Sequence, residues 1–310
     1  MTHHWTPRPE PASGGRSASG SPASFDVTNV RTRASCGQRA HVLRTAAVFA
    51  LLALVLPDRF SRAQTSEIQV GQPTTVPLPS GARVEVYGGS GYILLKKAAN
   101  AQVVVSVVKS KLAADVPVTM VKTSEGITIC AVYPAQDPKK PHECVPGGKG
   151  RLYDGNPQKL PDIGITVELP DGMAATASIG AGEVRSNAVT GDVLLYSDRG
   201  TVTVNDGGVG HIRASVGLLG NIQAGLARGK QRREVRLSSP GSGRVRVVMP
   251  RDLSVRYNIA TQLPPRIDPA FGITAKKGPI VGSTSPLATE VDLTVDTGIA
   301  GEFVLQQSAR

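Results

Sequence analysis

Beyond residue 63, Cys130, His142 and Cys144 are the tightest grouping of side chains that could do chemistry. His142 stands two positions before Cys144, and the cysteines are fourteen apart around a polar, proline-rich stretch. In an oxidising compartment a pair at this spacing reads as a disulfide. Closing a loop of about fifteen residues contributes roughly 3 kcal/mol in the chain-entropy model. Two alternatives stand beside it, a Cys/His/Cys metal site and a pair of free thiols. The metal reading is short of ligands, since a structural zinc site takes four and no fourth Cys or His is near in sequence. No metal and no other cofactor is expected.

The second grouping is basic. Arg228, Lys230, Arg232, Arg233, Arg236, Arg244, Arg246, Arg251 and Arg256 crowd one stretch. On a strand, Arg244 and Arg246 share the face opposite Val245 and Val247. Arg228, Lys230, Arg232, Arg233, Arg244 and Arg246 could hold lipopolysaccharide, an anionic polymer or membrane headgroups. The plainer reading, a solvated strand face that protects an edge, is preferred. Nucleic acid is not expected, because no aromatics interleave the cations to offer stacking.

Signals for catalysis are missing. Gly147-Gly148-Lys149-Gly150 lacks the spacer and the Ser/Thr of a phosphate loop, and no Gly-x-Ser-x-Gly elbow occurs. A triad would need His142 or His211, both in Gly- or Pro-rich surroundings. Asp171, Asp192 and Asp206 sit beside Gly or Pro, where turn chemistry explains them. Asn205-Asp206-Gly207-Gly208 is a glycine-rich turn, without the recurring acids of a calcium-binding roll. The chain is therefore read as non-enzymatic.

The elements that would carry these residues are legible in a period. Gly182/Val184, Gly191/Val193, Gly200/Val202, Gly210/Ile212 and Gly220/Ile222 place a β-branched aliphatic two residues after each glycine. Steps of nine or ten residues fit one short strand and one tight turn, with two strands per coil of about twenty residues. Alternation such as Val193/Leu195 and Val202/Val204 puts aliphatics on one face, and each glycine supplies a positive-φ corner or a close backbone approach. Stacking then makes a common core. The fold expected is all-β: a β-solenoid or β-helix-like stack of short strands, with a sandwich-like N-terminal part. A meander of hairpins is the alternative. Gly (34) and Pro (23) are frequent and aromatics are 4%, as suits turns around an aliphatic core.

Residues 1–41 read as a disordered prefix, with a start codon placed too early; initiation at Val42 gives an ordinary leader. Residues 42–63 read as a secretory signal peptide: Arg44, an apolar run from Ala46 to Leu56, and Ser61-Arg62-Ala63 before Gln64. No transmembrane segment is expected in the mature chain. Removing 1–63 takes the formal charge from +11 to +6, by loss of eight Arg and three acids. Residues 64–80 read as an extended lead-in and 81–305 as one β domain. Within it, Gly88-Gly89-Ser90-Gly91 reads as a hairpin turn between strands Ala82–Tyr87 and Gly91–Leu95. Stretches 134–161 and 261–288 read as long loops.

The Gly-x-Val/Ile steps of Val184–Ala224, Ile163–Leu169 closed by Pro170-Asp171-Gly172, Gly243–Met249 closed by Pro250-Arg251-Asp252, and the strand Ile127–Tyr133 with its partner Glu143-Cys144 resemble a bacterial family of adhesin-like domains of unknown function, built on β-solenoid-like repeats. The resemblance covers roughly residues 80–305. It implies an exported or envelope-associated β protein with no catalytic residues to carry over. The expected role is envelope or surface interaction with an unidentified polymer or protein partner, in the periplasm or at the cell surface. A polysaccharide-acting hydrolase or lyase and a structural spacer are the rivals.

Overall fold

The computed structural model describes residues 63–229, 231–285 and 289–308. The prefix, all but the last residue of the signal peptide, and Lys230 lie outside the described residues. The chain there is all-β, and its eighteen strands belong to one open sheet. They are β1 Gln64–Glu67, β2 Thr74–Val76, β3 Arg83–Lys97, β4 Val103–Lys109, β5 Val118–Thr123, β6 Gly126–Ala131, β7 Ile163–Leu169, β8 Ala174–Asn187 and β9 Val193–Asn205. There follow β10 Ile212–Val216, β11 Asn221–Gly225, β12 Arg233–Ser239, β13 Arg244–Met249, β14 Val255–Ala260, β15 Arg266–Ile267, β16 Ile280–Ser283, β17 Val291–Thr297 and β18 Glu302–Gln307.

The long strands explain the period. β3, β8 and β9 each pair in two halves, all parallel: Val84 beside Ala175 and Ala175 beside Val193, then Ile93 beside Val184 and Val184 beside Val202. The first halves continue through β10, β12, β17 and β14, and the second halves through β11, β13, β18 and β15. Two parallel ladders result, here called first and second. Beyond β3 the first ladder continues through parallel β6 and then β5 and β1, and the second through parallel β7 and then β4 and β2, those last two strands each antiparallel to the one before. β16 finishes the first ladder at the other end.

One core cluster draws on both ladders. Val184, Val193, Val202, Ile212 and Ile222, the five aliphatics of the period, are all buried in it. Each such side chain contributes about 1.5–3 kcal/mol relative to an exposed one. The glycines fall at alternate junctions between the ladders. Gly91, Gly182 and Gly200 stand in register as one column. A methyl at Gly200 would strike the carbonyl of Gly182, and one at Gly182 the carbonyl of Gly91. Gly210 stacks in the same way on Gly191 at the opposite junction. Gly182 also has φ +118°, and the inward alternation shifts by one residue there, from Ala175, Ala177 and Ile179 to Val184 and Ser186.

Two expectations change. Gly88–Gly91 is not a hairpin turn: β3 runs through it and pairs parallel on both sides. The glycines serve a close approach instead, since a Cβ at Gly89 would lie 2.5 Å from the Tyr133 ring. Tyr133 accepts a hydrogen bond from the Ser90 amide at 3.1 Å and donates to Pro161 O at 3.0 Å. Its burial pushes its pKa up to about 12 against the one lowering influence, the Ser90 hydrogen bond. The 261–288 stretch is not wholly irregular either, for β15 and β16 lie in it as short edge strands, as β1 and β2 lie in the lead-in. Their backbone pairing has almost no period-2 signature over two to four residues.

Candidate functional site

The outer surface of the second ladder presents two rows of mostly polar side chains in register. One row runs Tyr92, Glu183, Thr201 and Asn221, the Asn221 side chain accepting from the Arg244 amide at 2.9 Å, and Arg244 stands beside Glu302. The next runs Leu94, Arg185, Thr203, Gln223, Arg246, Val304 and Arg266. Strand parity puts them there: Tyr92 alternates with buried Ile93, Thr203 with buried Val202 and Val204, and Arg246 with buried Val245 and Val247.

A groove of about 980 Å³ lies along the first part of this surface, over the glycine column Gly91–Gly182–Gly200. Glycines without side chains leave the trough open. Tyr92, 41% exposed, packs against Gly164, where any Cβ would collide with its ring. Exposed Val108 stands on the other side of Gly164. Glu183 takes both nitrogens of Arg185 and the Thr203 hydroxyl at 3.2 Å. Asp162 accepts from Ser90 Oγ at 2.7 Å. Both carboxylates of the groove are thus engaged.

Gln223 belongs to this groove and stands in register with Arg246, which lines a second one of about 510 Å³. There Arg244 Nε lies 2.6 Å from Glu302 Oε2 and Arg266 Nε lies 3.0 Å from Glu302 Oε1. Arg246 Nε donates to an amide, Gln306 Oε1, at 2.8 Å. Asp268, also at the groove, caps a short turn by accepting from the Ala270 amide. Two guanidinium groups therefore share one carboxylate, Glu302, and the third, Arg246, meets an amide.

The sequence-selected arginines divide three ways. Arg244 and Arg246 are on the second ladder's outer surface. Arg228 pairs with Asp252, and Arg232 with Asp292, both exposed arginines away from that groove. Arg233 does not belong to any surface patch. Its side chain is fully buried and paired with Asp206, with Nε 3.1 Å from Oδ2. The parity was readable, since 233 has the same inward phase as Val235 and Leu237. Asp206 accordingly does more than hold its turn through the Gly208 amide at 2.7 Å.

Cys130 and Cys144 form a disulfide, with Cα atoms 5.5 Å apart. Both sulfurs are consumed, so the Cys/His/Cys metal arrangement is not available to His142. That ring is buried, with Nδ1 2.7 Å from Tyr133 O and Nε2 3.2 Å from Asp154 Oδ1, off the line of a good hydrogen bond. Asp154 is held below the usual carboxylate range by the Gln136 amide first, then by His142 and Arg151.

Sequence reasoning missed Tyr92, Thr201, Thr203, Gln223, Arg266 and Gln306. The signal for Tyr92 was an outward-phase aromatic in a chain poor in aromatics. For Arg266 there was none, because its strand is two residues long.

No family model matches this chain, and no curated protein matches it. Two solved structures are similar. One is described as a putative cell adhesion protein from Clostridium sporogenes, at 11% identity and TM-score 0.41, over 80% of this chain and all of that one. The other is described as a putative adhesin from Bacteroides fragilis, at 10% identity and TM-score 0.24, over 76% of this chain and 96% of that one. Likeness this distant does not transfer a role.

Proposed function

We propose that this chain is an exported, non-catalytic, adhesin-like binding protein of the envelope or cell surface. In this reading it is a β-solenoid of stacked coils, and the outer surface of its second ladder holds a polymeric or protein partner. The observation that carries the reading is the pair of grooves joined at Gln223 and Arg246, lined by side chains presented strand after strand. The Cys130–Cys144 disulfide supports an oxidising location. No helix among the described residues is long and apolar enough to cross a membrane. The engagement of Glu183 and Asp162 by neighbours favours binding over hydrolysis, where one acid must be free to protonate a leaving group. Short terminal strands such as β1, β2 and β15 favour a binder over a spacer, which needs regular open ends.

The test is retention of the purified protein on envelope fractions, compared between two double variants. Tyr92→Ala/Gln223→Ala on the second ladder is expected to lose retention. Leu194→Ala/Arg213→Ala on the first ladder is expected to keep it. The reverse pattern moves the site to the other surface, and release of new sugar ends from the fraction establishes the enzymatic rival.

A further inference from the structure

We infer that the second ladder's outer surface binds an extended acidic polysaccharide laid across its strands; this rests on the binding reading above and names its ligand class. Three features select that chemistry together.

The first is an apolar step. Tyr92, braced on Gly164 and flanked by exposed Val108, offers the kind of aromatic surface on which the C–H face of a pyranose stacks. The second is the uncharged middle, where the Thr201 hydroxyl and the Gln223 amide both donate and accept, as sugar hydroxyls do, and the Thr203 hydroxyl, donating to Glu183, still accepts. The third is the far end, where Arg246 meets only an amide and Arg244 and Arg266 share Glu302. A carboxylate, sulfate or phosphate on the polymer gives the Arg246 guanidinium the forked anionic partner it lacks among the described residues.

Geometry fits a polymer better than a small molecule. From β3 to β15 the strip crosses seven strands, roughly 30 Å at 4.8 Å per strand. Strand spacing is close to the rise of one sugar in an extended chain, so successive sugars meet successive strands. A protein partner would need an apolar centre, and here the middle of the strip is polar. A bare polyanion would gain nothing from Tyr92.

The experiment titrates the purified protein with polygalacturonate, with its fully methyl-esterified form, and with inorganic polyphosphate, at one ionic strength. The ester keeps the sugar backbone without the charge, and polyphosphate keeps the charge without the sugar. The expected result is that polygalacturonate binds at least about tenfold more tightly than either. Gln306→Glu, which gives Arg246 a carboxylate, should weaken polygalacturonate binding about tenfold while the thermal midpoint stays at the parent value. Tyr92→Ala should weaken the acid and its ester alike. Equal binding of acid and ester, equal binding of polyphosphate, or indifference to Gln306→Glu overturns the inference. Retention on envelope fractions with no binding of polygalacturonate overturns the ligand class and leaves the binding reading standing. Loss of both sinks the two together.

Discussion

On the first ladder, Arg232 and Arg256 close on Asp292 at 2.7 and 2.8 Å, and Arg236 closes on Glu234 at 2.6 Å with Arg213 at 3.8 Å. On the second, Arg244 and Arg266 close on Glu302, while Arg246 reaches only Gln306. The two surfaces draw on the same residue types, and both lie on strands of the same stack. Cross-strand register separates them. Every one of those first-ladder arginines faces a carboxylate across or along the strands, and one on the second ladder faces an amide. A tally of basic residues therefore misjudges both surfaces. What matters is which side chain a guanidinium meets on the next strand.

The largest effect expected comes from the arginine that neither surface holds. Arg233→Ala leaves Asp206 buried without its counter-charge, which costs about 3–5 kcal/mol. Chemical denaturation should show it, and Arg233→Met/Asp206→Asn, which removes the buried charge and keeps an acceptor for the Gly208 amide, should recover part of the loss. A small effect of Arg233→Ala would return that residue to the surface set. Second comes the disulfide that ties β6, at one end of the first ladder, to the stretch after it. Replacing Cys130 and Cys144 with serine should cost roughly 3 kcal/mol, read as a lowered denaturation midpoint under non-reducing conditions. Third is the trough under the second surface. Gly200→Ala forces a methyl onto the Gly182 carbonyl and should cost about 1–3 kcal/mol, measured in the same way.

The smallest effects sharpen the contrast directly. Arg232→Ala removes an exposed pair and should leave the denaturation midpoint close to the parent value. Acid should act mainly on the paired carboxylates. Asp171 is held low by its hydrogen bond from Lys97 and then by Thr190. For Asp292, burial works to raise the pKa, and the hydrogen bonds and charges of Arg232 and Arg256 outweigh it. A depressed folded pKa gives stability that is present above the unfolded value of about 3.9 and lost as pH falls below it. At the alkaline end, burial first and then Glu85 push Tyr87 up to about 12. A raised tyrosine pKa gives stability present below about 10 and lost between that and the folded value. The thermal midpoint should thus be flat through neutral pH and fall at both extremes. A midpoint that falls steadily from pH 7 to 5 would contradict this assignment.

Much of the architecture was legible because period-2 aliphatics and evenly placed glycines are redundant signals. Val193, Val202, Ile212 and Ile222 each repeat the message, and one error would not hide it. Gly88–Gly91 misled because a glycine cluster permits both a reversal and a close approach. The ring that decides between them, Tyr133, comes more than forty residues later. The disulfide was the favoured reading of the spacing together with an oxidising compartment, with a metal site and free thiols beside it, and the pair is bonded. The candidate site was legible only in part. Arg244 and Arg246 were visible by alternation, but Glu302, Gln306 and Arg266 meet them from strands about sixty residues or fewer away in sequence. Parity could also have placed Arg233 inside, had the density of arginines not drawn attention first.

The in-register column Gly91–Gly182–Gly200 has a consequence for how such a chain can change over time. At this column the backbone of each strand lies on that of the strand before with no side chain at the junction, so a repeat of this length can be added without a clash there. Duplicating the segment from Val193 to His211 would lengthen the strip by one division and leave both ends as they are. On the binding proposed above, the molecule would be a ruler, whose reach along a partner is reset one notch at a time.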